Sequence, residues 1–309
     1  MQLQHPLLIR YENWFGEGSS KLLLKEQRLY SSHGYIRVNI SKTTVKSIVE
    51  FFKNHRVHFS ATPIDNCFKI NKTFFNISST LPALTGELYI QDFASQIPVC
   101  TIDFERLKDI ANENGKVLCL DMAASPGSKT TQLADILSFY NIPYEIVALE
   151  PEQKRLTKLI NNIQKQGFTN VKVIETRAEN YSTTKQFDVI LLDAPCSGNL
   201  ITDNQWLNKR NLKGIQDNAQ LQKTLFAKAV ELLAPAGQLI YSTCSLEREE
   251  NEENVEYFSR HHPVKAMPLK LKMEFDTKPL NTTHHCMRFT PHISHTQGFF
   301  IAKFEKRKG

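Results

Sequence analysis

Ile190-Leu191-Leu192-Asp193-Ala194-Pro195-Cys196-Ser197-Gly198 is the stretch on which the reading of this chain turns. An apolar run of strand length stops abruptly at a carboxylate, a proline and a cysteine. A second run, Gln238-Leu239-Ile240-Tyr241, stops in the same way at Ser242-Thr243-Cys244-Ser245. In an open α/β sheet, ligands bind just beyond the carboxyl ends of parallel strands. Both thiols are therefore expected to face one crevice, as a two-cysteine active site.

Working outward, strand and helix patterns take turns. Strands are expected over 117–120, 144–149, 171–174, 187–192 and 238–241, and helices over 104–112, 129–140, 152–166 and 221–233. Regular alternation means βαβ units, hence an α/β fold with a doubly wound, mainly parallel sheet. Gly298-Phe299-Phe300-Ile301-Ala302-Lys303-Phe304 reads as one more strand, antiparallel and at or near the sheet edge.

Upstream of about residue 85 the pattern changes, which divides the chain into 1–85 and 86–309, within about ten residues. The front part reads as a smaller α+β unit. Residues 35–40 alternate like a strand, Ser41 is placed as the N-cap of a helix carrying Val45, Ile48, Val49 and Phe52 on one face, and strands follow near 57–59 and 67–70. Lys and Arg outnumber Asp and Glu by roughly two to one there, so the net charge of +6 is concentrated in the front quarter. That suits a polyanion partner, with Phe51, Phe52, Lys53 and Arg56 as candidates to stack on and neutralise RNA, although core packing is the commoner task for the phenylalanines.

Composition narrows the class further. At 309 residues the chain is long enough for one large and one small core. No apolar run reaches the ~18 residues of a membrane span, and Met1-Gln2-Leu3-Gln4-His5 lacks the pattern of a secretory signal. The six cysteines are scattered, which points to free thiols in a reducing compartment. A cytoplasmic monomer without membrane contact is expected. Histidines crowd the end of the chain, but without the cysteine or carboxylate spacing of a metal site.

The first βα loop, Asp121-Met122-Ala123-Ala124-Ser125-Pro126-Gly127-Ser128-Lys129-Thr130, is rich in small residues at the start of a helix, where backbone amides approach a ligand closely. It lacks the Gly-Lys-Ser/Thr ending of a phosphate loop and the spaced glycines of a dinucleotide fingerprint. A nucleoside-like ligand without a phosphate chain fits better, and Glu150, at the end of the second strand, is placed to accept from ribose hydroxyls.

The loop 121–130, the Asp193-Ala194-Pro195-Cys196-Ser197-Gly198 segment, Tyr241-Ser242-Thr243-Cys244-Ser245-Leu246 with Glu249-Glu250-Asn251-Glu252, and Gly298-Phe299-Phe300-Ile301-Ala302 together resemble the NOL1/NOP2/Sun family of RNA (cytosine-5) methyltransferases. The resemblance implies a Rossmann-like sheet binding S-adenosyl-L-methionine, a small RNA-recognition domain in front, and ribosomal or transfer RNA as partner. It implies Cys244 as the nucleophile that adds to carbon 6 of cytosine, Cys196 as the thiol that assists release, Asp193 as the group holding or protonating N3, and Lys129 as the cation that orients Asp193 or stabilises the addition intermediate. Ala123, Ala124, Ser125, Pro126, Gly127, Ser128, Lys129, Glu150 and Asp193 are the implied cofactor contacts, with no metal. The chemistry explains the thiols: carbon 5 of cytosine is a poor nucleophile until a thiolate adds at carbon 6.

Ser125 and Ser128 stand where the family often has alanine and glycine. Arg177 occupies a position where many relatives carry an aspartate near the adenine, with Glu179 as a substitute. Arg288-Phe289-Thr290-Pro291-His292 is similar to the family's late segment, with a structural or RNA-holding role. Two other readings remain open from sequence: a non-catalytic RNA-binding protein, and a DNA methyltransferase with Cys196 as nucleophile.

Overall fold

The computed structural model describes residues 5–71, 76–269, 271, 280–281 and 285–307. Its larger sheet contains β5 (Val117–Asp121), β6 (Tyr144–Leu149), β7 (Val171–Ile174), β8 (Phe187–Asp193), β9 (Leu233–Thr243), β10 (Val264–Met267), β11 (Leu280–Asn281), β12 (Cys286–Phe289) and β13 (Phe299–Lys306). The order is β11-β12-β13-β9-β8-β5-β6-β7, with β10 also paired to β13. The run β7-β6-β5-β8-β9 is parallel, and β13 is antiparallel to β9.

The period-2 alternation of strand side chains fills both faces. In β8, Val189 and Leu191 join a core beneath the helices Ser128–Phe139 and Gln153–Gln166. Ile190 and Leu192 join the opposite core, with Leu225 and Phe226 of the helix Leu212–Leu232 and Phe258 of the helix Glu252–His261. A strand buried on both faces has no room for polar positions, which is why residues 189–192 are an unbroken apolar run. The last strand is antiparallel to β9 and near the sheet edge, as expected, but not at the edge itself. β9 flanks β13 on one side, and β10 and β12 share the other. Phe299 and Ile301 face one core while Phe300, Ala302 and Phe304 face the other, so an edge position would have exposed a double row of apolar side chains.

A four-stranded antiparallel sheet forms the smaller unit, from β1 (His33–Val38), β2 (Phe59–Ala61), β3 (Cys67–Asn71) and β4 (Leu88–Ile90), in the order β2-β3-β1-β4. The helix Val45–Asn54 covers one face, burying Ile48 and Phe52 against Ile36, Val38, Phe68 and Ile70. Its cap is Thr44, whose hydroxyl accepts from Ser47 N at 3.1 Å, not Ser41. Ser41 is engaged elsewhere, its N–H donating to Asp135 at 2.8 Å. Phe52 is a core residue, so its ring is not available for stacking on RNA, whereas Phe51 is half-buried with its ring against the exposed His55.

Two helices at the front, Pro6–Phe15 and Ser19–Tyr30, have no counterpart in the sequence expectations. Leu7, Leu8, Tyr11 and Leu23 bury against Leu200, Ile201, Trp206, Ile215 and Leu246, which follow the two cysteine segments. The small sheet docks through Arg37. Its fully buried guanidinium donates to Gln91 (3.0 Å), Thr131 (2.9 Å) and Asp135 (3.3 Å), and the last two lie on the helix Ser128–Phe139. Among the described residues no helix is long and apolar enough to cross a membrane.

Candidate active site

Strand order reverses between β5 and β8, and a crevice opens where neighbouring strands send their connections to opposite faces. Register decides what faces it. Asp193 at the end of β8 lies opposite Ser242 near the end of β9, and Ala194 N donates to Ser242 O at 2.8 Å. Cys196 and Cys244, three and two residues beyond that level pair, meet with their sulfurs 3.3 Å apart. Both are partly buried. The Cys196 thiol is held well above its usual range, first by its hydrogen bond with Cys244 and then by burial, the Cys244 charge and Glu250.

Asp193 is held on both oxygens. Lys129 donates to Oδ2 at 2.6 Å and Ser242 to Oδ1 at 2.8 Å. Lys129 is only 7 % exposed, and its ammonium also lies 4.9 Å from the centre of the Phe299 ring. Such a cation is kept in a nearly dry site by its carboxylate. Asp121, at the end of β5, accepts from Thr130 Oγ1 at 2.6 Å, and burial raises its pKa to about 6.

The small-residue loop turns into its helix at Gly127, whose φ of +103° is left-handed, and a Cβ there would come within 3.1 Å of Leu159. Asn162 donates to Pro126 O at 2.8 Å, Ser125 Oγ donates to Arg155 O at 2.9 Å, and Arg155 returns a bond to Ser125 O at 3.1 Å. A cleft of about 270 Å³ lies over this loop, lined also by Asp121, Lys129, Asp193, Cys244 and Phe299. Ala123, Ala124, Ser125, Pro126 and Ser128 are part of its wall, whereas Gly127, Glu150 and Cys196 are not among the lining residues. Glu150 is buried, accepting from Glu152 N at 2.9 Å with Arg155 3.5 Å away. Arg177, the departure from the family pattern, is exposed and pairs with Glu179 at 3.6 Å, and neither residue lines the cleft.

Several supporting residues were given no role by the sequence reading, although Glu250 and Asn251 lie in a motif it named. Glu250 is buried among donors from both thiol loops: Ser197 N at 3.0 Å, the Ser197 hydroxyl, Ser245 Oγ at 3.0 Å and Gln222 Nε2 at 2.8 Å. Asn251 accepts from Thr243 Oγ1 at 2.6 Å and donates to Ser245 O at 2.9 Å. Tyr11 OH donates to the buried Glu247 at 2.7 Å, tying the front helices to the segment after Cys244. Glu247 is pushed up to about 7 by burial. The glutamates at 247, 249, 250 and 252 were a signal for part of this, because carboxylates beside a buried motif need partners. Arg288 is itself buried, donating to Glu252 and to Leu246 O at 2.8 Å, so its role is structural. Among the described residues, no three His, Cys, Asp or Glu side chains cluster as a metal site.

The fold and crevice define a Rossmann-like methyltransferase architecture. A crystal structure of a methyltransferase homolog protein from Pyrococcus horikoshii superposes with a TM-score of 0.79 at 29 % identity, covering 97 % of this chain and 94 % of that one. NSun6 from the same organism, crystallised with SFG, has the same fold, with a TM-score of 0.82 at 24 % identity and 97 % coverage of both chains. Residues 108–305 match the family described as 16S rRNA methyltransferase RsmB/F, and the chain belongs to that family. It is similar to ribosomal RNA small subunit methyltransferase F of Cronobacter sakazakii, 34 % identical over 235 residues, 74 % of this chain and 47 % of that protein. It is also similar to tRNA (cytosine(72)-C(5))-methyltransferase of Pyrococcus horikoshii, 39 % identical over 190 residues, 61 % and 47 % of the respective lengths. The chain spans about half the length of these curated relatives.

Proposed function

We propose that this protein methylates carbon 5 of an unpaired cytosine in structured RNA, ribosomal or transfer, with S-adenosyl-L-methionine as methyl donor. The observation that carries the reading is the pair of thiols 3.3 Å apart beside a carboxylate that a buried lysine holds at 2.6 Å.

The donor set suits that cofactor. Acidic side chains end β5 and β8 and follow β6, as Asp121, Asp193 and Glu150, around a loop of small residues. Carboxylates so placed repel a phosphate chain and attract a sulfonium cation and hydroxyls. Asp121 and the cleft-lining residues Ala123, Ala124, Ser125, Pro126 and Ser128 would hold the cofactor, with Glu150 buried behind them off the cleft wall. When bound, S-adenosyl-L-methionine supplies an electrophilic methyl group.

The chain's residues do the rest. The Cys244 thiolate adds to carbon 6 of cytosine while Asp193 holds or protonates N3, and Lys129 stabilises the charge around them. The electron pair displaced to carbon 5 makes that carbon nucleophilic toward the methyl group. Carbon 5 must then lose its proton, and the bond from carbon 6 to Cys244 must break. Cys196, its sulfur 3.3 Å from that of Cys244, is placed to assist that release, taking the carbon 5 proton as a thiolate after its own thiol proton has passed to solvent. The two thiols thus have successive roles, attack by Cys244 and assistance to release by Cys196.

The test uses the intact protein with cellular RNA and a labelled methyl donor. Cys244→Ala is expected to give neither product nor covalent adduct, and Cys196→Ala to accumulate an RNA adduct. Adduct formation lost in Cys196→Ala and kept in Cys244→Ala would reverse the assignment, and methylation by both variants would overturn the reading.

A further inference from the structure

We infer that Phe299 is a positioning residue for the reaction: its ring face is the second anchor of the Lys129 ammonium and keeps that cation on Asp193 while charge moves through the crevice. The inference rests on the proposed function and adds to it a residue with no polar group. Phe299 is the first residue of β13 and Lys129 the second of the helix Ser128–Phe139, so the two come from distant parts of the chain. The ammonium stands over the ring, 4.9 Å from its centre, inside the roughly 6 Å over which a ring face attracts a cation. Both residues are nearly dry, Phe299 at 2 % exposure and Lys129 little more, and both line the cleft with Asp193 and Cys244. Such an attraction is strongest out of water, where no solvent dipoles compete for the charge.

The backbone fixes where the ring stands. The ladder between β13 and β9 ends at Phe300 opposite Thr243, which leaves Phe299 level with Cys244 one residue further on. There the fully buried Asn199 takes over from the ladder, its Nδ2 donating to Cys244 O at 2.5 Å and to Gln297 O at 2.9 Å. Gly298, between Gln297 and Phe299, has a φ of +87°, and a Cβ there would come within 2.9 Å of Pro291 and 3.2 Å of Leu246. Strand alternation turns Phe300 to the opposite core and leaves Phe299 and Cys244 on the side packed by Leu133, Ala134 and Leu137, from the helix that carries Lys129. The bond from Lys129 to Asp193, at 2.6 Å, alters during the reaction because Asp193 shares a proton with N3 of the base, and the four-carbon stem of lysine is flexible. A phenyl ring has no proton to gain or lose. Its hold on the cation is therefore the same at every step.

The test uses the full chain with cellular RNA and a labelled methyl donor. Phe299 is replaced in turn by mono-, di- and trifluorinated phenylalanine, which draw electron density from the ring face with little change in its size. At saturating RNA and donor the single-turnover rate should fall with each fluorine, to about one tenth of wild type for the trifluorinated ring. KM for RNA and donor affinity, the latter measured by calorimetry, should stay unchanged. Phe299→Leu keeps apolar packing without a ring and should be slowed at least as much. Rates independent of fluorine count in a protein that methylates RNA would overturn the anchor and leave the function standing, even with Phe299→Leu slow, because that pattern belongs to packing alone. A loss seen wholly in KM for RNA, or a matching loss of donor affinity, would overturn it too, since the ring would then act on the RNA or on the donor's sulfonium. A wild-type protein that leaves cellular RNA unmethylated would overturn both the anchor and the function.

Discussion

Replacing Glu250 should disable both thiols without touching either. Its carboxylate accepts from Ser197 N, Ser197 Oγ and Ser245 Oγ, and Ser197 and Ser245 directly follow Cys196 and Cys244. In Glu250→Ala the Ser197 N–H is stranded in a buried site, at a cost of about 1–3 kcal/mol. The lost charge-assisted bonds, including that from Gln222, add about 1.5–3 kcal/mol. The two hydroxyls offset little, since they are already 3.1 Å apart and can bond each other in either state. The expected destabilisation is about 3–6 kcal/mol, against a total of about 5–15 kcal/mol for a natural domain. Glu250→Gln is the sharper probe because it keeps the shape and sets one amide N–H against a donor, at about 1–3 kcal/mol. A displacement of either sulfur by about 1 Å costs about a hundredfold in rate. Urea unfolding followed by fluorescence gives the first quantity, and single-turnover formation of the RNA adduct gives the second. Burial raises the pKa of Glu250, so its contribution to stability is present at low pH and is lost as pH rises through the native value. Glu250→Gln should remove that dependence. Adduct formation within threefold of wild type in Glu250→Gln, together with an unchanged urea midpoint, would refute the coupling.

Burial opposes both charges of the Arg37–Asp135 pair, lowering the pKa of the arginine and raising that of the aspartate, so Arg37→Met should cost about 3–5 kcal/mol by leaving Asp135 uncompensated. The double variant Arg37→Met/Asp135→Leu should cost less than the two single variants combined, which a urea double-mutant cycle measures. Asp121 has a native pKa of about 6 against its ordinary 3.8, so it contributes stability below pH 3.8 that is lost as pH rises through 6, about 3 kcal/mol in all. Asp121→Asn, which keeps an acceptor for Thr130, should therefore gain on wild type in unfolding midpoint from pH 4 to pH 8; equal changes in both proteins over that range would refute the assignment.

Much of the fold can be read from the chain because burial on both faces of a sheet leaves a local mark. The apolar runs 117–120, 144–149 and 189–192 are such marks, and the alternation with helices follows from the need to cover each face. The strand 299–306 carries the same mark, but its neighbours are set by pairing with β9, β10 and β12, which come from elsewhere in the chain. The front helices were missed for a related reason. Their apolar faces are short, and the surface they cover is built from residues 200–246. Ser41 met the local rule for a cap, yet Asp135, nearly a hundred residues away, took its N–H.

By itself, the sequence determined the class of this protein: an alternating α/β sheet, two thiols just past strand ends, a loop of small residues, and the family its motifs resemble. Each of these is written in neighbouring residues, where steric and hydrophobic preferences act over a few positions. Only the tertiary structure decided that Asp193 lies level with Ser242, that the two sulfurs lie 3.3 Å apart, and that Glu250 joins their loops. Those distances depend on strand register and on buried polar groups finding partners, and both are settled by parts of the chain that meet only when it folds.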